Sequence, residues 1–219
     1  MPLVDYLIAR DELPAPRGLA YDYLLGGDGL YLAARNRYLD VRVPVARTLV
    51  RGLPPLYPSV TIRTGRLPFE SWRAIVATAS EWCDANQEVL LAVVHNATAG
   101  YRLVRPEQVT GRTRLVYQPI DDVVLEIHSH HRFPAFFSTT DDADEQALRL
   151  YGVLGRLDTN RPEVAVRVGA FGYFLPIPWE TVFTGERGAF RDRSVEETEA
   201  TEGVDQDVPD AEEPDELSD

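Results

Sequence analysis

His128-Ser-His130, seven residues, then Ser138-Thr-Thr-Asp141 is the stretch on which the reading of this chain turns. It follows Val123-Val-Leu-Glu-Ile127, an apolar run rich in β-formers, so the two histidines fall at i and i+2 at the end of a strand. Both imidazoles then share one face, with α-carbons ~6.5–7 Å apart. Ser138-Thr-Thr-Asp-Asp-Ala-Asp-Glu145 reads as the capped, acidic first turn of a helix, which brings Asp141 in from a helix start. A strand end and a helix start can converge on one ion.

Two histidines and one carboxylate, with a fourth position left to water, form the ligand set of a catalytic zinc site; structural sites close all four positions, usually with cysteine. The single cysteine, Cys83, lies in a segment that reads as helix. That removes any thiolate-rich zinc site and any intrachain disulfide framework, and Cys83 reads as a small buried apolar residue. The plain alternative for His128 and His130 is a satisfied histidine cluster at a strand end. Against it, three of the four histidines (His128, His130, His131) fall within four residues and are followed by a well-placed serine and aspartate. A cupin needs a glutamate a few residues on, where Arg132-Phe-Pro-Ala-Phe-Phe137 stands. An amidohydrolase barrel needs about 250 residues, with its His-x-His early in the chain.

His-x-His, seven residues, Ser-x-x-Asp resembles the signature of the JAMM metalloproteases, the Jab/MPN domain family, over residues 58–185. The resemblance implies a zinc-dependent peptidase or isopeptidase that cuts the amide bond at the C-terminus of a ubiquitin-like protein. Zinc held by His128, His130 and Asp141 activates a water, and Ser138 donates a hydrogen bond to the oxyanion. The other reading of Ser138 is a helix-capping hydroxyl. The longer stretch from His128 to Asp142, continuing to Gly152-Val-Leu-Gly-Arg-Leu-Asp158, is similar to the protein A family of bacterial PRTRC cassettes. Those cassettes also encode a ThiF-like protein, which implies a ThiF/E1-like activating enzyme as a partner.

The family pattern also demands a glutamate after the first long helix. Leu67-Pro-Phe-Glu-Ser-Trp-Arg-Ala-Ile-Val-Ala-Thr-Ala-Ser-Glu-Trp-Cys83 starts with proline and carries Trp72, Ile75, Val76, Ala79 and Cys83 at helical spacing. Gln87-Glu-Val-Leu-Leu-Ala-Val-Val-His95 then reads as a buried strand with Glu88 as a charge at its entrance, where a carboxylate needs a partner or a task. The resemblance makes Glu88 the general base. Family members place glycines soon after this glutamate and proline after the second histidine; here Val-Leu-Leu-Ala and His131 stand instead. By alternation His131 points away from His130 and serves loop packing or supports the ligands from behind. Glu126 shares the face of the two histidines. It is an acceptor fixing an imidazole, a rival base or, most plainly, an exposed residue on an edge strand. Glu70 and Glu81 read as solvated helix positions.

The rest of the chain bounds the picture. At 219 residues and 44% hydrophobic content it can bury one good core with a small extension. No run approaches the ~20 apolar residues of a membrane helix, and the start Met-Pro-Leu-Val-Asp-Tyr lacks signal-peptide character. A cytoplasmic location without a membrane is expected. The net charge is −13, but residues 195–219 hold twelve of the 35 acidic residues and no base, leaving 23 acidic against 22 basic before them. The acidity belongs to a tail too polar to order itself. No basic patch suits phosphate, so nucleic acid is not an expected partner. All 22 basic residues are arginine, so no lysine can accept an isopeptide-linked tag; arginine-favouring codons of a GC-rich genome are the plainer account.

The expected fold is α/β: a single JAB/MPN-like domain at 58–185 with a mixed β-sheet flanked by helices, a β-rich extension at 1–57 and an acidic disordered tail at 186–219. In the extension, Gly29-Leu-Tyr-Leu-Ala-Ala-Arg35 and Tyr38-Leu-Asp-Val-Arg-Val-Pro-Val45 form a hairpin about Asn36, either an added edge to the main sheet or a partner surface. Tyr101–Arg105 and Thr113–Tyr117 continue the strands after Glu88, Asp141–Leu157 reads as an amphipathic helix, and Glu163–Gly169 and Ala170–Leu175 are two further strands or one bent strand. Only forty positions separate Glu88 from His128, with no clear helix between them. Substrate choice is therefore expected to rest on the extension or on a partner. The competing functional class is a catalytically silent scaffold of the same fold.

Overall fold

A computed structural model of the chain describes residues 2–85, 87–110, 115–117 and 120–194. Its first half holds β1 (Val4–Ile8), β2 (Tyr21–Gly26), β3 (Gly29–Arg35), β4 (Leu39–Arg47), β5 (Ser59–Ile62), α1 (Phe69–Asp84), β6 (Leu90–Asn96) and β7 (Gly100–Val104). There follow β8 (Gln108–Thr110), β9 (Leu115–Tyr117), β10 (Val123–Ser129), α2 (Thr139–Asp144), β11 (Arg149–Gly155), β12 (Glu163–Ala170), β13 (Tyr173–Pro176), α3 (Trp179–Val182) and β14 (Arg191–Asp192). No helix among the described residues is long and apolar enough to cross a membrane.

The expected hairpin about Asn36 forms: the Asn36 side-chain oxygen accepts from the amides of Tyr38 and Leu39, both at 2.8 Å, and pins the turn between β3 and β4. It is not an added edge of the main sheet. β2 and β5 occupy its two outer edges, and β1 pairs in parallel with β2, giving a separate five-stranded sheet in the order β1-β2-β3-β4-β5. The main sheet runs β13-β12-β11-β10-β6-β7, with β14 beside β12. It is mixed, because β10 and β11 are parallel while β6 and β12 flank them antiparallel.

One apolar cluster joins the two sheets. Leu32, Leu39 and Val43 of the first sheet, Trp72 and Ile75 of α1, and Leu91, Val93, Leu125, Ile127, Leu150 and Val166 of the main sheet are all buried in it. α1 begins after Pro68 and buries Trp72, Ile75, Ala79 and Cys83, as its periodicity predicts. By strand alternation Glu126 and His128 turn away from this cluster. The segment between β10 and β11 lies on that opposite face, where Ala135 packs with Val153 and Ala165.

The expected helix over Asp141–Leu157 is a correction. α2 stops at Asp144, and Arg149–Gly155 is a strand, β11, paired in parallel with β10 and buried from Leu150 onward. A strand covered on both faces shows an unbroken apolar run, which periodicity alone does not separate from a buried helix. The two glycines give the physical reason. A Cβ on Gly152 would stand 2.9 Å from the Ile127 side chain, and one on Gly155 would stand 2.3 Å from the Ala135 backbone nitrogen. Glycines placed for such close approaches belong to a strand that other chain segments crowd.

Ala170 and Tyr173 close a tight turn between β12 and β13, so these are two strands rather than one bent strand. At the other end, residues 186–194, grouped with the tail by the sequence reading, pack onto the domain. β14 pairs with β12, and the buried Asp192 accepts from the Trp179 amide at 2.7 Å. The acidic run 195–219, expected to be disordered, lies outside the described residues.

Candidate metal centre

β10 carries His128 near its C-terminal end, paired with Leu90 of β6 and Val153 of β11. The backbone continues to His130, whose amide donates to the Leu154 carbonyl at 2.7 Å, so the second histidine stays tied to the sheet. The next turn is stitched to the end of β11: Arg156 and Leu157 donate their amides to the carbonyls of Phe133 and His131, each at 2.8 Å. The buried Glu163 of β12 also accepts from the Ala135 amide at 3.1 Å and pairs with Arg156 at 3.2 Å. His131, expected to pack the loop or to support the ligands from behind, is buried in this turn at φ 37° with its ring against Phe133.

Asp141 arrives by helix capping. The Ser138 hydroxyl accepts from the Asp141 amide, and the Asp141 side chain reaches back to the Ser138 backbone, a reciprocal capping box at the start of α2. Asp141 Oδ2 accepts from the Ser138 amide at 2.6 Å and from its hydroxyl at 2.7 Å. Oδ1 faces the histidines, 3.7 Å from His128 Nε2. The Ser138 hydroxyl is thus held as a cap, accepting from the Asp141 amide and donating to Asp141 Oδ2.

The three donor groups of His128, His130 and Asp141 each offer an atom within 4.8 Å of the others. The two imidazole Nε2 atoms are 3.1 Å apart. Bonds of ~2.0–2.1 Å to a tetrahedral ion place its donors ~3.3 Å from one another, so these residues fit a divalent metal. His130 Nδ1 donates to the Pro134 carbonyl at 3.1 Å, which leaves the lone pair on Nε2, facing His128. Burial pushes the His128 imidazole down to about 4 against the pull of Asp141, and burial lowers His130 as well. At neutral pH both rings are then unprotonated and able to ligate. Burial opposes the Asp141 charge, but His128 and the Ser138 hydrogen bonds outweigh it and hold this carboxyl below its ordinary range.

Glu88 is half-buried just before β6, two residues ahead of the first strand position rather than within the strand. The Val89 carbonyl accepts from the Ser129 amide at 3.0 Å, and this extends the pairing and sets Glu88 across from His130. Burial, and after it the negative charge of Asp141, push its carboxyl up to about 7. A carboxyl poised near neutrality close to three residues that could hold a metal ion can take and return a proton.

Glu126 is not an exposed edge residue. β10 lies inside the sheet, and Glu126 is buried and ion-paired with Arg149 under the crossover. A second buried charge on this face, Arg167 of β12, was not singled out by the sequence reading. Its signal was present, since Glu163-Val-Ala-Val-Arg-Val-Gly169 sets an arginine in the middle of an apolar strand, where a charge must find a partner.

Residues 60–168 match a family model described as prokaryotic homologs of the JAB domain, a span that contains Glu88, His128, His130, Ser138 and Asp141. No curated protein matches the chain.

Proposed function

From a chain that belongs to the JAB-domain family on its prokaryotic branch, a family that includes metalloproteases, we propose a zinc-dependent peptidase or isopeptidase that hydrolyses the amide bond at the C-terminus of a ubiquitin-like protein. The convergence of the His128, His130 and Asp141 donor atoms within 4.8 Å carries this reading. Held there, zinc would supply Lewis acidity, enough to polarise a carbonyl and to bring the pKa of a water down to ~7.

The chain's own residues supply the rest. Glu88 acts as general base and returns the proton to the departing amine, a role to which its raised pKa, about 7, is suited. Asp141 and the two neutral histidines would hold the ion at the strand end. Ser138 holds Asp141 Oδ2 in the ground state; turning its hydroxyl toward a tetrahedral oxyanion costs that bond, so its oxyanion role belongs to the transition state. A ThiF/E1-like activating enzyme, which adenylates the C-terminus that such a peptidase exposes, is the partner that fits this chemistry.

The test is cleavage of fusions and conjugates of small ubiquitin-like proteins encoded beside this chain, with metal content measured on the same preparation. Near one equivalent of zinc, with cleavage abolished by chelation and restored by zinc, is the expected result. Below roughly a tenth of an equivalent, with no uptake on soaking, the reading gives way to a silent scaffold.

A further inference from the structure

We propose that Arg167 is a positioning residue for the metal centre, gripping the Ser138–Asp141 unit from both sides so that Asp141 meets the two histidines; the inference rests on the metallohydrolase reading. Arg167 lies mid-strand in β12, in register with Tyr151 and through it with Glu126, one row along the sheet from the row of His128, Val153 and Ala165. Its side chain is 7% exposed. Nη1 donates to Asp142 Oδ1 at 2.6 Å, while Nε and Nη2 donate to Glu145 Oε2 at 2.9 and 2.6 Å. The guanidinium is stacked between two rings, 3.8 Å from the Phe137 centroid and 3.7 Å from that of Phe174.

Three of those four partners flank the ligand in sequence. Phe137 precedes Ser138, Asp142 follows Asp141, and Glu145 closes α2, its amide donating to the Asp141 carbonyl at 2.8 Å. α2 has six residues and buries none of them. A helix that short has no stability of its own, and without a buried face no apolar packing fixes it to the sheet. Arg167, reaching out from the strand beneath, ties it down through Asp142 and Glu145. The role calls for arginine: a planar fork bonds two carboxylates while its faces stack on aromatic rings, and a lysine ammonium does neither as well.

Zinc titration of the full chain by competition with a chromogenic chelator tests this, with Arg167→Met, Arg167→Lys and Glu145→Gln each made alone and in an Asp141→Asn background. The expected result is a 10- to 100-fold weaker zinc affinity for Arg167→Met, the range set by groups that orient metal ligands, with Arg167→Lys in between. In the Asp141→Asn background the Arg167→Met effect should vanish, because a clamp has nothing left to position. Wild-type affinity in Arg167→Met, or the same loss with and without the Asp141 carboxylate, would overturn the proposal and leave Arg167 a general stabiliser. Should Arg167→Met fail to fold, Glu145→Gln decides: weakened zinc binding that depends on Asp141 supports the clamp, and unchanged binding overturns it. A wild-type chain that takes up no zinc sinks the functional reading itself, and the clamp falls with it; intact wild-type binding with an indifferent Arg167 sinks the clamp alone.

Discussion

Two influences act on the Glu88 carboxyl, burial and the charge of Asp141, and both favour its protonated form. If it is the general base, Glu88→Gln should keep zinc and lose ~10²–10⁴ of the turnover number, read by metal content and single-turnover cleavage on one preparation. The same carboxyl gives a second, activity-free prediction for chelated protein. Its folded pKa, about 7, lies above its ordinary 4.5, so the folded state binds the extra proton between those values. Stability from this group is full below the lower value and declines as pH rises through the upper one. Glu88→Gln should therefore leave metal-free stability unchanged at pH 4 and raise it at pH 8, by about 1 kcal/mol after discounting the shift for solvent screening. Urea unfolding at the two pH values checks it; an equal effect at both would rule out titration of Glu88 as the cause. Residue chemistry is where the sequence was most legible, because metal ligands are few in kind and strand alternation assigns their face. Alternation also put Glu126 on the face of the histidines, but whether that face is wet depends on the segment folded over it. The pairing of Glu126 with Arg149 and the partners of Arg167 were invisible for the same reason.

The crossover from β10 to β11 shows how an element can be misread while its contents are read well. Ser138 and Asp141 do open a helix, but the apolar run after it belongs to a parallel strand, and helical and buried-strand patterns overlap in runs of this length. Gly155 marks the strand, since the 133–135 backbone passes directly over it. Gly155→Ala should push that loop off the sheet, costing about 1–3 kcal/mol of stability, and should weaken zinc binding because His130 leans on the Pro134 carbonyl in the same loop. Gly100 is the control: its φ is 72° but an added Cβ meets open space. Gly100→Ala should cost the ~1–2 kcal/mol of a left-handed L-residue and leave zinc affinity at the wild-type value. Equal zinc affinity in both variants would show that the loop does not need this close approach.

Across the whole molecule, the first sheet and the JAB-like region share one core, so the extension cannot be removed as a separate unit. The sequence showed the hairpin but not what it packs on, because alternation reveals an apolar face and not the surface that covers it. That surface is the main sheet and α1: Leu32, Leu39, Val41 and Val43 are at most 2% exposed within the common cluster. Polar links cross the same boundary, from the Asn36 side chain to the Leu148 carbonyl at 2.9 Å and between Arg37 and Asp122. Each fully buried aliphatic side chain contributes ~1.5–3 kcal/mol, and deleting residues 1–57 would strip four of them and expose the partners they cover. That loss reaches the ~5–15 kcal/mol that holds a domain folded. A fragment of residues 58–219 should therefore lack a cooperative unfolding transition, whereas the full chain should unfold in one step, with tryptophan fluorescence and far-UV circular dichroism coinciding. All three tryptophans, Trp72, Trp82 and Trp179, lie outside the extension. Fluorescence thus reports the JAB-like region while dichroism reports both sheets. Two separated transitions in the full chain, or a sharp one in the fragment, would mean that the extension rides on the domain without holding it together.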